Sequence, residues 1–545
     1  MSKHNNYKNH EVPGNQHGSH ISYFIFHNSY LMMIFFLLTW LWASWWMGDV
    51  MRIAYEHSFI AADSTLMLWL WQRSFGPLWI VGRALLALYR WPLVGGLLVA
   101  ALLTLGSWLL GYCLQLTSRW RWIQYLPAAA WMIWTAHVGL NLFYMHEPGR
   151  ILAIPFLCVV LLAVCTIIRR ISFRPTYQGG SSHHQDLPSS QVHSTLSLMG
   201  RVVGELLFLL LLFALPMLYL THRHPYLRPL THMQVQLLHD DFEGMSRTAH
   251  KHAEMSYRQI AGYYVIALAR TGHLADQLFD IKLNYVTPRT YGFSGNPSQS
   301  LGYHLTDCNY YAGMIRAARH SAVEDLTMNG PTLSNLKIMV KISLVEGDWE
   351  VARKYLHVIS KTPFEGAFLQ KYEPMVNRPD LVQADPEFAA ILSNTPAHHV
   401  LENMYEKPCF VGYYAVLRRF RNLEDVTRSA VACLYSKRMP DFLRCCSQLI
   451  GTSLPRSIAE GLVTQAQSNP AVLKAFPQLQ MDLERYGLFL QAASPYMHDR
   501  ELGAKVLFEQ YHGYYPYYYF FGNLGPTRED GAVEEEQEHN KAGVN

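Results

Sequence analysis

The chain has 545 residues, half of them apolar, and a formal net charge of +4. That length allows more than one domain. The modest charge, with no dense Lys/Arg tract interleaved with aromatics, speaks against nucleic acid as a partner.

Residues 1–20 form a polar tail, and from Ile21 to Leu220 the chain is dominated by Leu, Trp, Phe, Ile, Val and Ala. A helix needs roughly 20 apolar residues to cross about 30 Å of hydrocarbon. Five stretches meet or approach that length, near 24–47, 93–116, 122–145, 151–168 and 202–220, with Trp and Tyr crowding their ends. Such rings settle at the headgroup level. The first stretch has too long an apolar core for a cleavable signal and is expected to stay as an anchor.

Between the first two stretches lies "MRIAYEHSFIAADSTLMLWLWQRSFGPLWI", residues 51–80. Arg52 and Glu56 have the spacing of a helical ion pair. Asp63 ahead of "STLMLWLW" has the place of an N-cap, and Pro77 suits the first turn of a following helix. Residues 77–91 are too short for a span, and Arg83 at their centre would cost about 2.5 to 3.5 kcal/mol in a bilayer. Residues 59–91 are therefore expected as helices on the membrane surface.

Lys3, Lys8, Arg119, Arg121, Arg169, Arg170, Arg174 and Arg201 flank the spans on one side, against Arg52, Arg73, Arg83, Arg90 and Arg150 on the other. The excess belongs in the cytoplasm. That places the N-terminus inside and everything after the fifth span outside. Inside the spans, His137 and Asn141 share a helix face and Glu205 sits a turn into the fifth. They form either a polar track or an interhelical hydrogen bond and an interfacial carboxylate. Residues 172–197, rich in Ser, Gly, Pro and His, read as a flexible linker.

After about His222 the pattern becomes short amphipathic helices. "YYVIALARTGHLADQLFDIKL" (263–283) and "LKIMVKISLVEGDWEVARKYLHVI" (336–359) each predict a helix ending at a glycine, Gly272 or Gly347, and a second helix packing Ala275 or Ala352 against it. "DVTRSAVACLYSKRMPDFLRCCSQLI" (425–450) predicts a third pair. The 75-residue separation of the two glycine turns is near two periods of a helix-turn-helix repeat. The fold class expected is all-α: a five-span bundle at 21–222, then a solenoid of tetratricopeptide-like helix pairs at 223–525. Tyr257, Tyr263, Tyr264, Tyr303, Asn309, Tyr310 and Tyr311 are candidates for a peptide-binding groove, or core residues. "EQYHGYYPYYYFFG" (509–522) predicts a terminal helix packing its rings on the end of the solenoid, and the acidic 526–545 a disordered tail.

The eight cysteines include no CxxC, and the histidine clusters 181–184, 222–224 and 250–252 lack the spacing of a helical metal site. No metal or cofactor is expected.

"AYEHSFIAADSTLMLWLWQRSFGPLWIVGRALLALYRWPLVGGLLVAALL", "ALARTGHLADQLFD", "SLVEGDWEVARKYLHVISKTPF" and "YYPYYYFFG" together resemble an uncharacterised family of integral membrane proteins from Bacteroidetes-type bacteria. The resemblance runs over most of residues 20–522. It implies an N-terminal multispan region and a C-terminal helical-repeat domain, and no reaction.

The expected function is a scaffold or assembly factor of the bacterial inner membrane. Its partners are the lipid bilayer and an envelope protein or peptide held by the external domain. The alternative is a multispan glycosyl- or lipid-linked transferase with Glu56 and Asp63 as catalytic carboxylates. A transporter ranks third. No G-x-S-x-G, Walker loop or H-E-x-x-H occurs.

Overall fold

The computed structural model describes residues 30–116, 118–139, 148–172, 193–223, 225–255, 258–283, 306–395, 417 and 419–522. Every regular element among them is helical. The described chain divides into two units.

The first unit takes the residues up to Met51, then Leu88–Ala136 and Arg150–Tyr219. Its helices are α1 (Tyr30–Trp46), the start of α2 (Gly48–Glu56), α5 (Pro92–Leu114), α6 (Leu126–Gly139), α7 (Arg150–Ser172) and most of α8 (His193–Arg223). Among the described residues three stretches are long and apolar enough to cross a membrane: Pro92–Leu114, Arg150–Arg169 and Val203–Arg223. Helices α1 and α2, bent by 64° at their junction, pass the same test when taken together, which makes up to four. The count differs from the five expected. Helix α6 has only 14 described residues, because the stretch begins in the 3-10 turn Ser118–Tyr125 and residues 140–147 lie outside the described ones. Helix α5 packs on α7 and on the end of α1. Gly96 permits the second contact, since a Cβ there would sit 2.1 Å from Ser44 Oγ.

The second unit takes Arg52–Ala87, the described residues of His137–Gly149 and the described residues from Leu220 onward. It includes α3 (Ser64–Gln72), α4 (Gly76–Leu86), α9 (Leu227–Leu238), α10 (Phe242–Lys251), α11 (Arg258–Thr271) and α12 (Ile315–Asn329). Next come α13 (Leu333–Glu346), α14 (Trp349–Ser360), α15 (Gly366–Tyr372) and α16 (Pro386–Asn394). The last are α17 (Leu423–Tyr435), α18 (Met439–Cys446), α19 (Arg456–Ala466), α20 (Gln480–Ala493) and α21 (Tyr515–Phe521).

Neighbouring helices pair as hairpins: α10 with α11, α13 with α14, α17 with α18. The second helix expected after Gly272 is only the single turn Leu274–Gln277 followed by the 3-10 turn Leu278–Asp280, so α11 takes α10 as its partner instead. The turns follow the chemistry expected of them. Gly272 and Gly347 have φ of +78° and +75°, the left-handed conformation that closes a helix and that a Cβ disfavours. In the third pair the same turn is made by Lys437 at φ +53°. Ala352 is fully buried, so α14 lies close on α13. The rings of Tyr515, Tyr517, Tyr518 and Phe521 are buried as the terminal aromatic helix predicts, with the Tyr515 and Tyr518 hydroxyls donating to the carbonyls of Leu434 and Tyr435 at 3.2 and 2.9 Å.

One boundary departs from expectation. Residues 52–87, expected within the membrane region and on the bilayer surface, belong to the second unit. Phe59 and Ala61 join a core with Leu336, Val340, Leu356 and Phe388. Two apolar side chains that a surface-lying helix would offer to lipid are instead buried against α13, α14 and α16. The two helices expected there do form, parted at Phe75-Gly76, and their outer residues Leu68, Trp71 and Phe75 remain exposed.

Candidate functional site

The first loop meets the helical unit along α13, and two lysines set the meeting. Lys337 and Lys341 are four residues apart and share a face of an otherwise apolar helix. Lys337 Nζ donates to both Glu56 carboxylate oxygens, at 2.8 and 3.0 Å, and pairs with Glu365 at 3.0 Å. Glu365 is 3 % exposed and also accepts from the Tyr55 hydroxyl, which contacts the Pro363 carbonyl at 3.1 Å. Two carboxylates thus share one ammonium. The i, i+4 pair expected between Arg52 and Glu56 gives way to this longer-range pair, in which the same ammonium also neutralises buried Glu365.

Seven residues on, Asp63 does what an N-cap does. One of its oxygens accepts from the amides of Thr65 and Leu66 at 3.0 and 3.1 Å. The other accepts from Lys361 Nζ at 2.7 Å. The Lys361 hydrogen bond, then the cap amides, hold the Asp63 carboxyl below its ordinary range. Backbone groups finish the seam. The amide of Leu333, at the start of α13, donates to the Ser58 carbonyl at 3.0 Å, and the Ala62 amide donates to the carbonyl of Lys361, just past α14, at 2.9 Å. The loop therefore satisfies one open donor and one open acceptor of helix ends. Buried Arg83 closes it from the other side, donating to the Phe59 carbonyl at 3.0 Å.

The second lysine faces a separate cluster. Lys341 and Lys371 approach Glu387 at 2.8 and 3.3 Å, and the hydroxyls of Tyr372 and Tyr310 donate to it at 2.9 and 3.2 Å. Burial alone would raise the Glu387 carboxyl, but Lys341 and the further donors hold it at about 2. Asp307 lacks such a partner: burial pushes it up to about 7, opposed by the Tyr263 hydroxyl at 2.9 Å and the charge of Lys341.

The tyrosines proposed for a groove are core residues. Tyr263, Tyr264, Tyr310, Tyr311 and Asn309 are each no more than 5 % exposed. Three of the hydroxyls are bonded inside the unit, to Asp307, to the Gln277 carbonyl and to Glu387. Tyr257 and Tyr303 lie outside the described residues, as does Asn141. His137 is exposed near the end of α6, and Glu205 is half-buried on α8 in the other unit.

Glu56 and Asp63, the catalytic candidates, are each held by a lysine rather than aimed at a common space. A general base needs an oxygen within reach of a substrate proton, and here the carboxylate oxygens are already taken. No group of three metal-ligating side chains occurs among the described residues. The residues that make this site and were not singled out by motif are Lys337, Lys361, Glu365, Lys341 and Glu387. The one local signal was a pair of lysines, four apart, within "LKIMVKISLV".

A family model described as "Family of unknown function (DUF6057)" matches residues 22–522. No curated protein and no solved structure matches the chain.

Lys337→Met leaves buried Glu365 and partly buried Glu56 beside each other without their shared cation, and is expected to cost about 3 kcal/mol in unfolding experiments on the full chain. Glu56→Gln should cost clearly less, since Lys337 keeps Glu365. Equal, small effects would mean the seam is not a buried ion pair. Asp307 gives a pH test. Its folded pKa lies above its unfolded one, so its contribution is fully present below about 3.8 and lost as pH rises to about 7. Asp307→Asn should therefore stabilise by on the order of 2 kcal/mol at pH 8 and by almost nothing near pH 3.5. A gain of equal size at both pH values would contradict this.

Proposed function

The chain belongs to the family of unknown function DUF6057, and from its own residues we propose that it is a membrane-anchored scaffold of the bacterial envelope. Its helical unit, built as tetratricopeptide-like pairs, stands on the outer face of the inner membrane and holds a protein or peptide partner. The observation that carries this reading is the engagement of Glu56 and Asp63. The first external loop is spent on clamping the helical unit, through Lys337 and Lys361, and not on presenting an acid or base.

Topology supports it by parity. Residues 52–87, Gly149 and the described chain from Leu220 fall in one contact unit, and in this proposal that unit lies wholly on one side of a bilayer. The chain leaves that side and returns twice, by α5 with α6 and by α7 with α8. Each return needs an even number of crossings, so α6 crosses with α5 although its described part is short. Arg119, Arg121, Arg169, Arg170, Arg174 and Arg201 then fall together on the opposite side, the cytoplasmic one. Odd crossing by α1 puts the N-terminus there too, which makes five spans. On the α3–α4 hairpin, Leu68, Trp69, Trp71 and Phe75 are exposed, with the Arg73 guanidinium 3.9 Å over the Trp69 ring. Such a strip suits the headgroup layer and steadies the unit against the membrane.

Alkaline phosphatase, which folds only outside the cytoplasm, tests the placement. Fused after Gly522 it is expected to be active, and fused at Ser181 inactive; the reverse pattern would turn the protein over. For the scaffold itself, the full chain in native-lipid discs should retain a defined envelope polypeptide, and a Glu56→Gln strain should keep its glycan and lipid products. Loss of those products with no retained partner would make the protein a transferase.

A further inference from the structure

A cleft at the C-terminal end of the helical unit lies beside the terminal aromatic helix and apart from the Lys337 and Lys341 clusters. Phe279, Phe508, Tyr517, Tyr518 and Phe521 line a cavity of about 180 Å³. The rings hold one another in place: Phe279 and Tyr518 have centroids 4.7 Å apart, and Tyr517 and Phe521 5.9 Å. An apolar cavity of about 150 Å³ is enough for a benzene ring. The cleft thus has room for a phenyl- or isobutyl-sized group.

Lys282 and Lys505 also line it. Lys282 Nζ lies 4.7 Å over the Phe508 ring, and neither lysine makes an ion pair among the described residues. One carboxylate, Glu501, stands against these two cations, so the charge of the lining is positive. The remaining wall is not helical. Backbone through Ile281–Leu283 is irregular, with Ile281 in extended conformation at φ −124° and ψ 164°.

We propose that this cleft receives the C-terminal residue of a peptide partner. The apolar side chain enters among the rings, the terminal carboxylate lies between Lys282 and Lys505, and the preceding residues run beside Ile281–Leu283. Size, charge and the backbone at Ile281 each bear on the ligand. The volume suits a single side chain, the lysines favour an anion next to it, and extended Ile281, beside Lys282 whose N–H is already bonded to the Ala253 carbonyl, is where a peptide main chain can pair and an aliphatic acid cannot. This proposal rests on the scaffold reading and names the chemistry of its partner. Two other occupants have the same charge: a free small carboxylic acid, and the acidic residues 529–538 of this chain, which follow soon after Gly522 at the cleft edge.

The test is calorimetric titration of the full chain in lipid nanodiscs with three probes: a short N-acetylated peptide ending in Phe, the same peptide as its C-terminal amide, and 3-phenylpropionate. The free-carboxylate peptide should bind at least about tenfold more tightly than the amide, and the Lys282→Gln/Lys505→Gln double variant should lose that difference. Equal binding of acid and amide, no binding of either peptide, or an unchanged double variant would overturn the proposal. So would binding of 3-phenylpropionate alone, which marks a small-acid site, or peptide binding seen only after deletion of residues 523–545, which marks the tail as the occupant. A partner retained from the envelope equally well by the double variant sinks the cleft and leaves the scaffold standing.

Discussion

A carboxylate removed from water is tolerated only where a cation and hydrogen bonds replace its hydration. Glu56 and Glu365 meet that condition through a single lysine, and the consequences reach through the second unit. With Lys337 between them, the chain just after α2 cannot sit on the bilayer as an independent surface helix. It has to reach α13, which draws Phe59 and Ala61 into the core formed by Leu336, Val340 and Leu356. Buried pairs of this kind add little net stability relative to an apolar contact, yet removing one partner is costly. Their effect is on placement: they specify which stretch of the first loop docks, and in which register.

Backbone bonding enforces the same register. Ser58 and Ala62 meet the open ends of α13 and α14, and Asp63 caps α3 while holding Lys361. A shift of one residue would break the cap, the ion pairs and both backbone bonds together. The loop is therefore part of the helical unit in the same sense as any of its helices. The unit is thus assembled from stretches that precede α5 and stretches that follow α8 in the chain.

Much of this was legible in the sequence. Apolar stretches announced α5, α7 and α8, glycines at 272 and 347 announced two turns, and Asp63 announced a cap, because each depends on residues within a turn or two of one another. The docking of the first loop was not legible. Glu56 and Lys337 are 281 residues apart, and Asp63 and Lys361 298. No spacing rule links such positions, and the local rule pairs Glu56 with its nearest cation, Arg52. The aromatic residues misled in a different way. Helical spacing of Tyr263, Tyr264, Tyr310 and Tyr311 suits a groove wall as well as a core, and only burial separates the two. Nor does any local pattern reveal the cleft at Phe279 and Phe508, whose walls come from stretches more than 200 residues apart in sequence.

The claim on which all of this turns is that residues 57–63 are built into the helical unit. Amide hydrogen exchange of the full chain in nanodiscs measures it directly, at Ala62 and Leu333, whose N–H groups cross the seam to Lys361 and Ser58. Both amides should be protected to a degree comparable with the interior of α13 and α14, and should lose protection together in Lys337→Met. Exchange at Ala62 as fast as in an unstructured peptide, with α13 still protected, would show that the loop is not clamped and would contradict the account.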